Sequence, residues 1–252
     1  MPEKSSRARV AGLPNPSSWG RYALSLLSSS PGPLVVVRAS EEDLEDAADA
    51  VKALALLTGR PAPEAAFFGE DSSARLAGIE RLHRGAPLVF ATPEGLAVGA
   101  SAAADYAKER VTVRLRAGPK RQVLLDRLAA LGYTRVDFVE SPGEFAARGS
   151  VVDFHPLEPA RAVRVLYDGD AVVSLRAFDT ATQTTRPELL EEAVAGPAAE
   201  HPSATTLGAL LSGRGTWLVE PGLEPEAAPP SLLVVGPPAP GAAAVDLGWE
   251  AF

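Results

Sequence analysis

The spacing of apolar and polar positions changes character about halfway along the chain. In the first half, Leu34-Val-Val-Val and Leu88-Val-Phe-Ala are short runs with no polar interruption. Such runs predict strands covered on both faces, as in a parallel sheet. Helical spacing lies between and before them: residues 19–27 carry Tyr22, Leu24, Leu26 and Leu27, and a further helix is predicted over 73–84. Ser40 opens another helix. Its hydroxyl can cap free N–H groups, Asp43 stands at the capping-box position, and Glu41, Glu42 and Asp43 suit the positive end of the helix dipole. Pro31-Gly-Pro breaks the first helix, and residues 1–18, with Ser, Pro, Asn and Gly, predict a loose lead-in. Strand, helix and strand in this order predict a parallel α/β layer over residues 19–110.

The second half alternates instead. After a predicted helix at 120–131, Arg135-Val-Asp-Phe-Val alternates, and Ser150-Val-Val-Asp-Phe follows a break at Gly149. Residues 162–167 put Val163, Val165 and Tyr167 on one face. Asp168-Gly-Asp is a hairpin turn, and residues 172–178 return. This predicts a small antiparallel α+β domain over 116–195, inserted into the first. From Pro197 on, a helix at 205–211 and strands at 216–219 and 232–235 stand among Pro- and Gly-rich stretches. The expected organisation is therefore 1–115, the first part of an α/β domain; 116–195, the inserted domain; and 196–252, a return segment completing the first.

The chain has 252 residues, of which 46% are hydrophobic and 22% charged, a globular balance. No apolar run reaches the roughly 20 residues a membrane helix needs. The basic start lacks an apolar stretch of the kind a secretory signal carries. Cysteine is absent, which removes disulfides, thiolate zinc sites and cysteine nucleophiles, and fits the cytoplasm. A net charge of −8 argues against direct DNA binding, since phosphate contacts need a basic footprint. His83, His155 and His201 fall on different predicted elements, so a zinc site is not expected. Asp137 and Asp153 both occur in Val-Asp-Phe contexts. With no nucleophile or third group, structural hydrogen bonding is expected of them rather than acid–base work. Neither a nucleophile elbow nor a GxGxxG fingerprint occurs.

The most distinctive stretch begins at Leu131-Gly-Tyr and runs through Val136-Asp, Pro142-Gly-Glu-Phe, Arg148-Gly and Asp153-Phe to Phe178-Asp and Thr182-Gln. In that order these pieces resemble domain 2 of UvrB, the excision-repair helicase subunit, and the equivalent domain of the transcription-repair coupling factors (Mfd). Upstream, residues 34–39, Arg75-Leu-Ala-Gly-Ile-Glu-Arg-Leu and Leu88-Val-Phe-Ala-Thr-Pro-Glu-Gly-Leu resemble the first domain of that family. Downstream, Thr206-Leu-Gly-Ala-Leu-Leu and Trp217-Leu-Val-Glu-Pro resemble the return to it. The implied fold is a degenerate P-loop, helicase-like parallel-sheet domain with an inserted UvrB domain 2-like antiparallel domain.

UvrB itself is a P-loop ATPase, whose loop requires Gly-x-x-x-x-Gly-Lys-[Ser/Thr]. The corresponding stretch here reads Gly12-Leu-Pro-Asn-Pro-Ser-Ser-Trp-Gly-Arg, with no Gly-Lys-Ser/Thr, and Pro14 and Pro16 remove two N–H donors. ATP is not expected there. Glu220 falls where a helicase carries its magnesium-binding acid, and reads as a strand-end carboxylate. Residues 60–71 hold Phe67 and Phe68 but are too short for the aromatic DNA-clamping hairpin of UvrB. These losses match the coupling factor, whose ATP-dependent translocase motor lies further along than this sequence runs. No catalysis and no cofactor are expected of this region.

The resemblance implies UvrA as partner, bound through the Arg of the Arg-Gly pair and the Arg heading the hairpin, here Arg148 and Arg164. Arginine suits this because its planar fork pairs bidentately with carboxylates. Arg135 and Arg176 are expected to make only local contacts. The family commonly has two aromatics in the hairpin. Here the pair is Tyr167-Asp168, and loss of such an anchor costs about 2 kcal/mol of binding. The expected site is Arg148, Arg164, Tyr167 and Asp168. In a longer protein the remaining domains and RNA polymerase would join UvrA as partners. A drifted scaffold for another partner and a DNA- or nucleotide-binding UvrB-like protein are the alternatives.

Overall fold

The computed structural model describes residues 6–11, 16–30, 32–200, 203, 205–223 and 231–236; of 6–11, 16–18, 231 and 233–236 it describes the backbone alone. The expectations at Pro31, at residues 12–15 and at His201 lie outside the described residues. Along the chain come β1 (Ser6–Ala11), α1 (Pro16–Leu27), β2 (Leu34–Val37), α2 (Glu41–Leu57), β3 (Ala65–Phe68), α3 (Ser72–His83), β4 (Leu88–Ala91) and α4 (Pro93–Ala97). Then follow α5 (Ala103–Tyr106), β5 (Val111–Arg114), α6 (Arg121–Ala130), β6 (Thr134–Arg135), β7 (Glu144–Arg148) and β8 (Val151–Phe154). The remainder is β9 (Val163–Asp168), β10 (Ala171–Phe178), β11 (Thr185–Leu189), β12 (Glu192–Ala195), α7 (Leu207–Leu211), β13 (Thr216–Val219) and β14 (Ser231–Gly236). The chain divides into two compact units, 1–100 with 203–252, and 101–202.

The first unit holds a six-stranded sheet in the order β1-β14-β13-β2-β4-β3, parallel at every pairing. Its central strands β2, β4 and β13 are buried at every residue, which is what uninterrupted apolar runs require. Trp19 and Ala23 of α1 and Leu44, Ala48 and Val51 of α2 pack with Leu34, Val36, Leu88, Phe90 and Leu218. Ser40 caps α2 by accepting from the Asp43 N–H at 3.2 Å. The second half of the expected capping box differs: Asp43 accepts from the Ser40 hydroxyl at 2.7 Å instead of its backbone N–H. Thr92 caps α4, and Gly95 behind it is required, since a Cβ there would lie 1.8 Å from the Phe68 carbonyl oxygen.

The second unit is built on a six-stranded sheet in the order β11-β10-β9-β8-β7-β6, antiparallel except for the short parallel β6–β7 pairing. A separate antiparallel pair, β5–β12, completes it. One face of the large sheet (Phe145, Val152, Phe154, Val163, Val165, Tyr167, Val172 and Leu175) packs with Leu124, Leu125 and Leu128 of α6. The β9–β10 turn has two central residues, Gly169 and Asp170, and Gly169 takes the positive φ of 54°. That is the position a II′ turn gives to glycine.

Several expectations are corrected. Residues 6–11 of the supposed lead-in form an edge strand on β14. Residues 65–68, within the 60–71 stretch that carries no expected strand, form the opposite edge on β4. Of 135–139 only Arg135 is in a strand, because the chain turns next: the Glu144 carboxylate accepts the N–H groups of Glu140 and Ser141 at 2.8 and 2.9 Å. The second unit runs from 101 to 202 rather than 116 to 195, since β5 pairs with β12 inside it. Pro187 is accommodated because β11 is an edge strand.

Candidate protein-interaction site

Strand alternation sends the core residues of the second unit's sheet to one side and Arg148, Asp153, Arg164 and Leu166 to the other. The β8–β9 register sets Arg164 directly across from Asp153, while Asp153 faces Ala146 of β7. Arg148 is therefore the diagonal neighbour of Asp153, within reach of a long side chain. The Asp153 carboxylate, 1% exposed, accepts Arg164 Nε on Oδ1 at 2.8 Å and Arg164 Nη2 on Oδ2 at 2.8 Å. It also accepts Arg148 Nη2 on Oδ2 at 2.9 Å. Each guanidinium lies over an aromatic ring: Arg148 4.7 Å from the Phe138 centroid, Arg164 4.6 Å from that of Phe178. Such stacking adds about 0.5–2 kcal/mol, more as water is excluded.

Arg164 is held further by its Nη1, which donates to the Gln183 carbonyl and to Thr185 Oγ1, both at 3.0 Å. Gln183 has a left-handed backbone, φ 58°, and its side-chain amide donates to the carbonyls of Val139 and Thr180 at 2.9 and 2.7 Å. The hydrogen bonds to Asp153 raise the Arg164 guanidinium above its already high ordinary value. Two cations against one carboxylate leave the cluster with a surplus positive charge. Leu166, beside it on β9 and opposite Val151, is 37% exposed, and Phe138 is 55% exposed.

The other two expected site residues behave differently. The Tyr167 ring is 3% exposed, inside the core, and its hydroxyl donates to the Pro119 carbonyl at 3.0 Å. Burial pushes its phenol up to about 12. Tyr167 therefore supports the hairpin from within and presents no contact face, a correction to the expected surface role. Asp168 is exposed at the end of β9, and its neighbour Asp170 pairs with Lys120 at 2.8 Å. Arg176 makes local contacts, to Ser174 Oγ at 3.3 Å and to the Pro187 carbonyl. Arg135 is exposed at the end of β6.

In the first unit the carboxyl ends of the parallel strands hold another charged cluster. Open α/β sheets bind ligands at such strand ends. Here Arg38, just after β2 and 11% exposed, donates from Nε to Glu220 at 3.2 Å and from Nη2 to Asp43 at 2.9 Å. Glu220 follows β13 and also accepts the Ala39 N–H at 3.2 Å. The guanidinium lies 4.4 Å from the centroid of a Trp19 ring.

Among the described residues no three His, Cys, Asp or Glu side chains converge as metal ligands. His83 ends α3 in the first unit, and His155 follows β8 in the second, where burial lowers its pKa. No helix among the described residues is long and apolar enough to cross a membrane. Asp153 is the residue whose importance sequence reasoning understated. Its signal was an acid between Val152 and Phe154 of an alternating strand. The partner across the sheet depended on a register that the loop before β9 conceals.

Residues 111–201 match the family described as UvrB interaction domain. The chain is 32% identical to a transcription-repair-coupling factor of Bacillus subtilis over 127 residues, 50% of this chain and 11% of that protein. It is 30% identical to UvrABC system protein B of Micrococcus luteus over 148 residues, 55% of this chain and 21% of that protein. A transcription-repair-coupling factor of Mycobacterium bovis matches at 43% over 63 residues, 25% of this chain and 5% of that protein. The matched part thus spans about a fifth or less of each relative's length.

Proposed function

We propose, from the identification of this chain as a UvrB-like module with a UvrB interaction domain at residues 111–201, that it is a protein-binding module of nucleotide excision repair whose partner is UvrA. The observation that carries this is the open, positively charged face of the antiparallel sheet, where Arg148 and Arg164 share Asp153 within the matched residues. A planar guanidinium on an aromatic platform is suited to a carboxylate of a partner protein. Exposed Phe138 and Leu166 supply apolar area beside it.

The module works without catalysis. This is supported by the missing Gly-Lys-Ser/Thr sequence and by Glu220, whose carboxylate is engaged by Arg38 instead of being free for magnesium. In a longer chain of the coupling-factor type it would recruit UvrA while other domains engage RNA polymerase. Its setting is cytoplasmic.

The test is calorimetric titration of this chain with UvrA of the same organism, beside an Arg148→Ala, Arg164→Ala double variant. Micromolar or tighter binding that the double variant loses is expected. A wild type that fails to bind overturns the assignment of UvrA. The face would then serve another acidic partner, with Asp168 in place of the hairpin's second aromatic as the reason.

A further inference from the structure

At the end of β9 and β10 away from the hairpin turn, the second unit has a cavity of about 470 Å³. His155 follows β8, Arg161 precedes β9, Asp179 and Thr180 follow β10, Arg186 is on β11, and Phe178 is among the lining residues. The polar groups gathered there are poorly matched to one another. Among the described residues the Arg161 side chain makes no hydrogen bond or ion pair, and the Thr180 hydroxyl makes no hydrogen bond. Arg186 stands 3.7 Å from Asp179, beyond hydrogen-bonding distance, with its side chain 58% exposed. Asp179 is committed elsewhere: its Oδ1 accepts the Thr182 N–H at 3.0 Å and the Thr182 hydroxyl at 3.1 Å. His155 Nδ1 and Nε2 are both enclosed, and neither has a partner at hydrogen-bonding geometry. Enclosed polar atoms of folded proteins are nearly always paired, so an unpaired one asks for a partner that the chain does not supply. Two guanidinium groups against one carboxylate leave the cavity with a net charge of +1.

We propose that this cavity binds a small phosphate ligand, inorganic phosphate or a phosphate monoester, with Arg161, Arg186, the Thr180 hydroxyl and His155 as its donors. The donors come from three separate segments, which suits an anion with several oxygens better than a carboxylate with two. A monoester carries a charge of about −1.5 to −2 at pH 7 and offsets the positive surplus. A turn of the half-buried His155 ring would present one of its nitrogens to that anion.

Burial lowers the His155 pKa more than the nearby Ala160 backbone and the Glu144 charge raise it, so the ring of the empty cavity is neutral at pH 7. The charges that face it are Glu144 of β7, Arg161 before β9, Asp179 after β10 and Arg186 of β11. A bound dianion joins the two acids in favouring the charged, donating ring. Polymeric nucleic acid fits less well, because the chain as a whole carries −8. None of this rests on UvrA as partner.

The experiment titrates the full chain with inorganic phosphate at constant ionic strength, followed by ¹H–¹⁵N NMR of backbone amides and histidine rings. Saturable shifts are expected at His155, Thr180 and Arg186, with a Kd of about 1 mM or tighter. The His155 ring pKa should rise on saturation, while the ring signals of His83 in the first unit stay in place. Arg161 and Arg186 are exposed, so an Arg161→Gln, Arg186→Gln double variant is expected to fold, and to bind about tenfold more weakly or worse. His155→Gln should weaken binding by about threefold and serves as the second variant. Glycerol phosphate should bind like phosphate, and acetate about fivefold more weakly or worse. A short oligonucleotide with internal phosphodiesters alone should shift these signals less than phosphate does. Failure to saturate by about 20 mM phosphate, or shifts that both variants keep, would overturn the proposal. So would acetate or the oligonucleotide binding as tightly as phosphate.

Discussion

Arginine, carboxylate and aromatic ring meet in both units, but in opposite proportions. In the first unit one guanidinium, Arg38, is held by two carboxylates, Asp43 and Glu220, over Trp19. In the second, two guanidinium groups share the single buried carboxylate of Asp153, over Phe138 and Phe178. The first cluster has one negative charge in excess and its cation is enclosed, at strand ends where an α/β sheet would otherwise take a ligand. The second has one positive charge in excess and keeps one cation open on a sheet face. Similar side chains thus close one site and open another, and stoichiometry and burial decide which.

The two clusters differ most in what loss of Arg164 would cost. Arg164→Ala leaves the buried Asp153 with Arg148 alone and is expected to destabilise the second unit by about 3 kcal/mol. Chemical unfolding followed by circular dichroism would read this, while fluorescence of Trp19 and Trp217 in the first unit would report a little-changed transition. The equivalent change in the first unit should be milder. Arg38→Ala frees Asp43 and Glu220, whose side chains are already 41% and 33% exposed and can hydrate. A loss of about 1 kcal/mol is expected, with a change in tryptophan emission as the cation leaves the Trp19 ring.

Two smaller effects sharpen the picture of the second unit. The Tyr167 phenol titrates at about 12 in the folded chain against an ordinary value of 10.0. Its contribution is therefore fully present below pH 10 and is lost as pH rises towards 12. Tyr167→Phe should remove that alkaline step in an unfolding series, at the cost of the bond to Pro119. His155 has the opposite sense. Burial lowers its pKa below 6.5, so the folded state favours the neutral ring and stability falls as pH drops through 6.5. Thermal midpoints of His155→Gln between pH 7 and 5 should decline less than those of wild type.

The elements that sequence revealed are those whose pattern is local. Four apolar residues in a row at 34–37 and 88–91 require burial on both faces, and both are central strands of the parallel sheet. Val163, Val165 and Tyr167 alternate and lie on the core face of β9. Elements that depend on a distant partner stayed hidden. The strand at 6–11 exists through pairing with 231–236, and that at 65–68 through pairing with 88–91. The site divides the same way. Arg148 and Arg164 stood out through a family resemblance, but the buried acid between them emerges only when β8 and β9 are set in register. Tyr167 belongs to the expected site only through the family resemblance, whereas its alternation with Val163 and Val165 points it inward.

If UvrA docks as proposed, it meets the open cluster and not the closed one. The chain has no cysteine, so a single introduced one can be labelled uniquely. Leu166→Cys puts a label on the open sheet face beside the arginines, and Glu42→Cys puts one on the exposed start of α2, beside the closed cluster. UvrA binding would be measured for each before and after attachment of a bulky maleimide. The label at position 166 is expected to abolish binding, and the label at 42 to leave it unchanged. Full binding by the chain labelled at 166, or loss confined to the chain labelled at 42, would contradict it.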